Sequence, residues 1–268
     1  MSPGVDLYNN AYGHYSDEVY GQIRLETYGA DLGQTGWATT EESNEIPRSL
    51  ELTPRSSVLE IGSGSGRYAL QIAGTTGCSL LGLDINAPGI HTANALAETR
   101  GLTDRVRFQI ADASRNLSLD GCSFDAAFSN DVLCHIPNRL AVFRELFRVL
   151  KPGGRFLFSD ALVIGGIVSH QELAARSSIG FYIFSPPGEN ERLLQQAGFQ
   201  LIRVADTSEN AGEIARRWRD ARQKRREALL SMESEQNFEG LQQFLSTVHV
   251  LTSERRLLRL LYLAHKPI

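Results

Sequence analysis

The chain has 268 residues, a formal net charge of -4, a pI near 5.9 and 42% hydrophobic residues. That length suits one large α/β domain with insertions, and the acid-leaning balance argues against both a basic nucleic-acid binder and a disordered chain. Cys78, Cys122 and Cys134 are odd in number and show no C-x-x-C spacing, so neither a disulfide framework nor a thiolate zinc site is expected, and reduced thiols fit a cytoplasmic protein.

The opening Met-Ser-Pro-Gly-Val-Asp lacks the basic and apolar regions of a signal peptide, and Asp160 interrupts the most apolar stretch, around Phe156 to Val168; neither secretion nor membrane spanning is expected. Residues 1–48 read as an N-terminal cap. Tyr15, Tyr20, Tyr28, Gln34 and Trp37 give it the aromatic, polar-tipped character of a substrate lid, with plain core packing as the alternative. Removal of residues 1–37 is therefore expected to leave a folded core with poor turnover. Residues 49–268 form the main domain.

From Val58 to Tyr68 an apolar segment ends in Glu60 and runs through Gly62, Ser63, Gly64 and Gly66 into a helical pattern. This is strand, tight loop, helix, and glycines without Cβ atoms let backbone N–H groups approach a nucleotide-like ligand. Arg67 stands where the dinucleotide fingerprint G-x-G-x-x-G needs its third glycine. Strands follow near 79–84, 105–110, 124–129, 154–160 and 199–205, with helical patterns between the earlier ones, as in a parallel doubly wound sheet. Asp84 ends the second strand, where a carboxylate accepts from both hydroxyls of a ribose; a helix cap is its alternative role. Pro88 to Arg100 reads as a helix with Gly101 just past its end, and Asn138 caps another whose Leu140, Phe143, Leu146, Phe147 and Leu150 form an apolar stripe. Lys151 to Gly154 stops that helix.

Two substrate-side insertions are expected, at 161–187 and 207–252. The first carries Phe181, Tyr182 and Phe184 as candidate pocket aromatics. The second is helical and holds Arg216, Arg217, Arg219, Arg222, Lys224, Arg225 and Arg226, but Glu213, Asp220 and Glu227 interleave with them, the pattern of a solvated helix face. Leu257 to Ala264 reads as the last strand.

The run from Glu60 to Gly66 resembles motif I of the class I S-adenosylmethionine-dependent methyltransferases. The segment Asp131-Val-Leu-Cys-His135-Ile-Pro137, with Lys-Pro-Gly-Gly one helix later, resembles the small-molecule branch that includes phosphoethanolamine, sarcosine and sterol-type enzymes. The resemblance covers about residues 50 to 160, and Asn130 and Cys134 depart from it. It implies a Rossmann-like, mostly parallel seven-stranded sheet and S-adenosylmethionine as cofactor. Glu60, Gly62, Ser63, Gly64 and Gly66 would then surround the amino-acid end of the cofactor, Asp84 the ribose, Ile85 the adenine face, and Asp112 with Ala113 the adenine amino group, a plain turn residue being the alternative for Asp112.

A sulfonium methyl group is already activated, so positioning and water exclusion are the protein's main tasks. His135 is the candidate base for an N–H or O–H acceptor, with orientation of the loop as its alternative role. Asp131, with Asn130 beside it, is the candidate partner for the cofactor's ammonium or for a cationic amine. The expected activity is methyl transfer to a small organic acceptor in specialised biosynthesis, with nitrogen or oxygen favoured over carbon. No metal, nucleic acid or membrane is expected as a partner, and the residues are compatible with a monomer or a homodimer. The rival readings are an NAD-dependent oxidoreductase, which Asp84 suits equally well, and a non-catalytic cofactor-binding or RNA-associated protein.

Overall fold

The computed structural model describes residues 5–31, 33 and 35–268, and leaves the side chains of residues 9, 10 and 12 out of account. Three helices precede the sheet: α1 (Tyr8–Gly13), α2 (Glu18–Tyr28) and α3 (Thr40–Ser49). Strands and helices then alternate as β1 (Ser57–Ile61), α4 (Arg67–Thr76), β2 (Ser79–Asp84), α5 (Ala87–Thr99), β3 (Val106–Ile110), β4 (Phe124–Ser129), α6 (Arg139–Val149) and β5 (Leu150–Ile164). The chain continues through α7 (His170–Arg176), α8 (Glu189–Ala197), β6 (Gln200–Asp206), α9 (Ser208–Lys224), α10 (Arg226–Leu230), α11 (Glu235–Ser253) and β7 (Leu257–His265).

The strands form one seven-stranded sheet in the order 3-2-1-4-5-7-6. All neighbours are parallel except β7, which runs antiparallel to both β5 and β6. The chain direction of sheet building reverses between β1 and β4, so the carboxyl ends of those strands flank the crevice where open α/β sheets bind ligands.

Local chemistry explains the boundaries. Asn86 caps α5 by accepting from the Gly89 N–H at 2.7 Å, and Gly101 turns left-handed beyond the helix at φ 63°. Asn138 caps α6, whose Phe143 and Leu146 are fully buried. The expected stop at Lys151 to Gly154 is real for the helix, but those residues already belong to an irregular start of β5, where Phe124 pairs with Leu150 and Ala126 with Arg155. β5 also runs four residues beyond the expected Asp160, because Val163 and Ile164 pair with β7.

The N-terminal helices and the second insertion are one structure. Tyr20, Ile23, Tyr28 and Trp37 share a buried cluster with Trp218, Phe238, Leu241 and Phe244 from α9 and α11, and the Trp37 ring lies 6.2 Å from Trp218 and 6.0 Å from Phe244. This cap has its own core above the sheet edge. Its basic helix face is neutralised internally: Arg216 and Arg217 pair with Glu213, Lys224 and Arg225 with Glu26, Arg226 with Glu235, and the buried Arg222 with Glu233. Among the described residues no helix is long and apolar enough to cross a membrane.

Candidate active site

β1 delivers the glycine loop to the sheet edge, and two of its glycines are required by packing. Gly62 has φ 76°, and a Cβ there would lie 2.2 Å from Cγ2 of Val132. Gly66, also at φ 76°, begins α4, and a Cβ would lie 2.5 Å from Cζ of Phe108. Their bareness therefore lets the loop nest against the segment after β4 and against β3 itself, a constraint in addition to the ligand approach expected from the sequence. Gly64 donates its N–H to Asp84 Oδ2 at 2.8 Å, and Asp84 Oδ1 accepts from the Asn86 N–H at 2.8 Å. The cap of α5 is Asn86 itself, so Asp84 is free of the capping role and instead locks the loop to the end of β2.

A cavity of about 430 Å³ opens at this point between the sheet edge and the helical cap, within the size range of small-molecule sites. Glu60, Gly62, Ser63, Gly64, Asp84, Ile85 and Asn130 line one wall. Glu60 is 1% exposed and its Oε2 has no hydrogen-bond partner; Ser63 Oγ and Asn130 Nδ2 are equally unpartnered. Burial, reinforced by the Asp84 charge, pushes the Glu60 carboxyl well above the usual carboxylate range. An orphaned buried polar atom costs about 1–3 kcal/mol, and here an acid, a hydroxyl and an amide N–H₂ carry that cost around one cavity. They match what an ammonium and a carboxylate on a single ligand require. Ile85 is strongly exposed on the same wall.

Asp112 and Ala113 are not brought to the cavity wall. The Asp112 carboxylate accepts from the Ser114 backbone and hydroxyl and from Arg115, and the Ser114 hydroxyl chiefly lowers its pKa. Its turn chemistry is satisfied locally.

The opposite wall centres on His135, at the end of a short 3-10 turn, Leu133–His135. Its Nδ1 lies 2.9 Å from the carbonyl oxygen of Phe181. A carbonyl only accepts, so Nδ1 carries the proton, and Nε2 is left as the acceptor, 3.3 Å from the Tyr8 hydroxyl. Burial pushes the His135 pKa below its usual value, against the pull of the Phe181 carbonyl. The ring is thus neutral near pH 7 with its lone pair at Nε2.

Asp131 lines the cavity as expected, but its carboxylate is already engaged. Its backbone is left-handed at φ 56°, stabilised by an N–H bond to Ser159 Oγ at 2.9 Å. Its carboxylate accepts from the Ser159 hydroxyl at 2.8 Å, from Arg259 Nε at 2.8 Å and from the Trp37 backbone N–H at 3.0 Å. Arg259 is fully buried and also pairs with Glu42 at 2.6 Å. The Asp131 charge is therefore matched within the protein, and the residue clamps Trp37 at the cavity wall. Behind the loop, Arg139 donates to Asp160 Oδ2 at 2.6 Å and to Ser185 Oγ at 2.9 Å, with Asn190 closing the network. Neither ion pair is visible in the sequence, because the partners are 128 and 21 positions apart.

Of the expected pocket aromatics, Trp37, Phe181 and Tyr182 line the cavity. Tyr28 is buried in the cap with its hydroxyl donating to the Gly36 carbonyl, and Tyr20 is buried there too. Tyr15 lies under the guanidinium groups of Arg24 and Arg67, away from the cavity wall. Phe184 packs against Cys134, Leu162 and Leu257. Gln34 lies outside the described residues. Tyr8, Arg176 and Ile179 also line the cavity; α1 carries no periodic signal in the sequence, and Arg176 is a single charged residue inside the first insertion.

Residues 59–158 match a family described as a methyltransferase domain. The chain is 32% identical over 184 residues to the methyltransferase GfsG of Streptomyces halstedii, an alignment covering 66% of this chain and 64% of that protein. It is 28% identical over 204 residues to 27-O-demethylrifamycin SV methyltransferase of Amycolatopsis mediterranei, covering 75% of each. In three dimensions it resembles Haemonchus contortus phosphoethanolamine N-methyltransferase 2, bound to phosphomonomethylethanolamine and S-adenosylhomocysteine, with a TM-score of 0.80, 22% identity and coverage of 98% of this chain and 61% of that one.

Proposed function

Residues 59–158 are a methyltransferase domain, and on that premise we propose that the chain transfers a methyl group from S-adenosylmethionine to a nitrogen or oxygen of a small organic acceptor held under the helical cap. The carrying observation is the trio of unpartnered buried atoms, Glu60 Oε2, Ser63 Oγ and Asn130 Nδ2, on one wall of the cavity. The cofactor supplies an electrophilic sulfonium methyl group. Glu60, once ionised, takes its ammonium, while Ser63 and Asn130 take its carboxylate. Each oxygen of Asp84 accepts one backbone N–H and keeps a second lone pair for a ribose hydroxyl. Ile85 offers an apolar face to the adenine.

His135 Nε2 is the site that receives a proton from the acceptor, which takes the place of the Tyr8 hydroxyl at that nitrogen, since its tautomer is set by the Phe181 carbonyl and its neutral form prevails near pH 7. Residues 1–48 and 207–252 exclude water and shape the acceptor pocket. The likeness to a rifamycin-modifying enzyme supports a place in specialised metabolism.

Calorimetric titration with S-adenosylmethionine, S-adenosylhomocysteine and the oxidised and reduced nicotinamide dinucleotides tests the reading. Micromolar binding of the two sulfur compounds alone is expected; binding of a dinucleotide alone overturns it.

A further inference from the structure

We propose that Arg176 anchors a single oxyanion on the acceptor, a carboxylate or an ionised hydroxyl carried on a planar apolar body. This rests on the methyl-transfer reading only for the word acceptor; the anion site itself stands on the geometry. Arg176 ends α7, is 1% exposed and lines the cavity. Its guanidinium carbon lies 4.6 Å from the ring centre of Tyr182, 5.1 Å from that of Phe244 and 5.6 Å from that of Trp37. Its Nη1 has no hydrogen-bond partner, and among the described residues no carboxylate forms an ion pair with it.

Every other fully buried cation in this part of the molecule has an acid. Arg139 has Asp160, Arg222 has Glu233, and Arg259 has Asp131 and Glu42. Guanidinium groups stay cationic in proteins, and a buried cation without a counter-ion is strongly unfavourable. The three rings offset part of that cost through their negative faces, and the Tyr182 hydroxyl is within reach of the guanidinium, but Nη1 is left without an acceptor. A ligand oxyanion supplies both the charge and the acceptor.

One cation argues for one negative charge. The neighbouring acids Asp131 and Asp160 are already engaged by Arg259 and Arg139, and among the described residues Arg176 is the fully buried cation of the lining without an acid. Arg67, which also lines the cavity without an ion pair, is only half-buried and donates to the Asp31 carbonyl, so a phosphate dianion would meet the repulsion of those acids with one buried cation to offset it. The body of the ligand follows from the walls, since Trp37, Phe181 and Tyr182 present ring surface to the cavity. His135 packs on the same Tyr182 ring, 4.4 Å between centroids, so the anchored oxyanion sits beside the proposed proton acceptor.

The test measures binding of 1-naphthoate, its uncharged analogue 1-naphthamide, and 4-nitrophenol to the wild-type chain, with and without saturating S-adenosylhomocysteine, by Trp37-sensitive fluorescence and calorimetry. 1-Naphthoate should bind at least tenfold more tightly than 1-naphthamide, or 4-nitrophenol should gain affinity as its hydroxyl ionises; the stronger of the two arms identifies the oxyanion. Arg176→Met should erase that preference and leave S-adenosylhomocysteine affinity within about twofold, while its melting temperature holds or rises because a lone buried charge has gone. Arg176→Lys should keep the preference and serves if the methionine variant fails to fold. Equal binding of the charged and uncharged probes, together with a pH-independent nitrophenol, overturns the proposal, as does a preference that survives in Arg176→Met. Wild-type protein that ignores S-adenosylhomocysteine but binds 1-naphthoate through Arg176 would break the methyl-transfer reading and leave the anion site standing.

Discussion

The two walls of the cavity are built by different means. The glycine-loop wall comes from residues 60–64, 84–86 and 130, all at the carboxyl ends of the parallel strands β1, β2 and β4. The facing wall draws Tyr8, Trp37, His135, Arg176 and Tyr182 from the N-terminus, the β4 connection and the first insertion. Adjacent parallel strands fix the first wall through a continuous backbone ladder. The second is held by side chains: the Tyr8 to His135 contact, the Asp131 bond to Trp37, and the arginine pairs behind them. A rigid wall suits a ligand shared by many enzymes, and a wall made of long-range side-chain contacts allows the acceptor to differ while the sheet stays the same.

The largest effect that separates the walls comes from removing residues 1–37. The deletion strips Leu7, Tyr20, Ile23, Tyr28 and Trp37 from the core they share with α9 and α11. At about 1.5–3 kcal/mol for each buried side chain, the loss rivals the whole stability of a domain. The truncated chain is expected to lose cooperative thermal unfolding in calorimetry, contrary to the separable lid read from the sequence; a sharp transition near the full-length temperature would show that the cap stands without its N-terminal half.

Next comes His135→Gln, which keeps a polar side chain and removes the base. Turnover should fall by about 10²–10⁴-fold once an acceptor is in hand. In the wild type the rate should climb with pH through a pKa below the usual histidine value and then level off, because the neutral ring is the active form and burial lowers its pKa. A rate reduced by only a few fold, with the pH profile unmoved, would assign His135 to positioning. Comparable in size is Asp84→Ala, expected to weaken S-adenosylhomocysteine binding by about 1.5–3 kcal/mol for each charge-assisted hydrogen bond lost. Unchanged affinity would leave Asp84 as a brace for Gly64 alone.

The same contrast decides what could be read from the chain. Glu60, the glycines and Asp84 sit at strand ends that apolar runs and breakers mark clearly, so the sheet and the first wall were legible. Gly62 and Gly66 were legible as glycines but not for their full reason, since Val132 approaches from the segment after β4 and Phe108 from β3. Asp131 looked like a free acid because its partner Arg259 lies on β7. Tyr15, Tyr20, Tyr28 and Phe184 looked like pocket residues because composition does not tell a cap core from a cavity wall.

The most direct measurement is a calorimetric titration of wild type and Glu60→Gln with S-adenosylhomocysteine, run across pH in buffers of different ionisation enthalpy. Burial holds the Glu60 carboxyl protonated above the usual carboxylate range in the free protein, and pairing with an ammonium requires it ionised. Wild type should therefore release a proton on binding and gain affinity as pH rises toward the raised pKa. Glu60→Gln should release none from this site and bind about ten- to a hundredfold more weakly, the worth of a charge-assisted hydrogen bond. Equal affinity and equal proton release in the two proteins would contradict the placement of the cofactor's amino-acid end against Glu60.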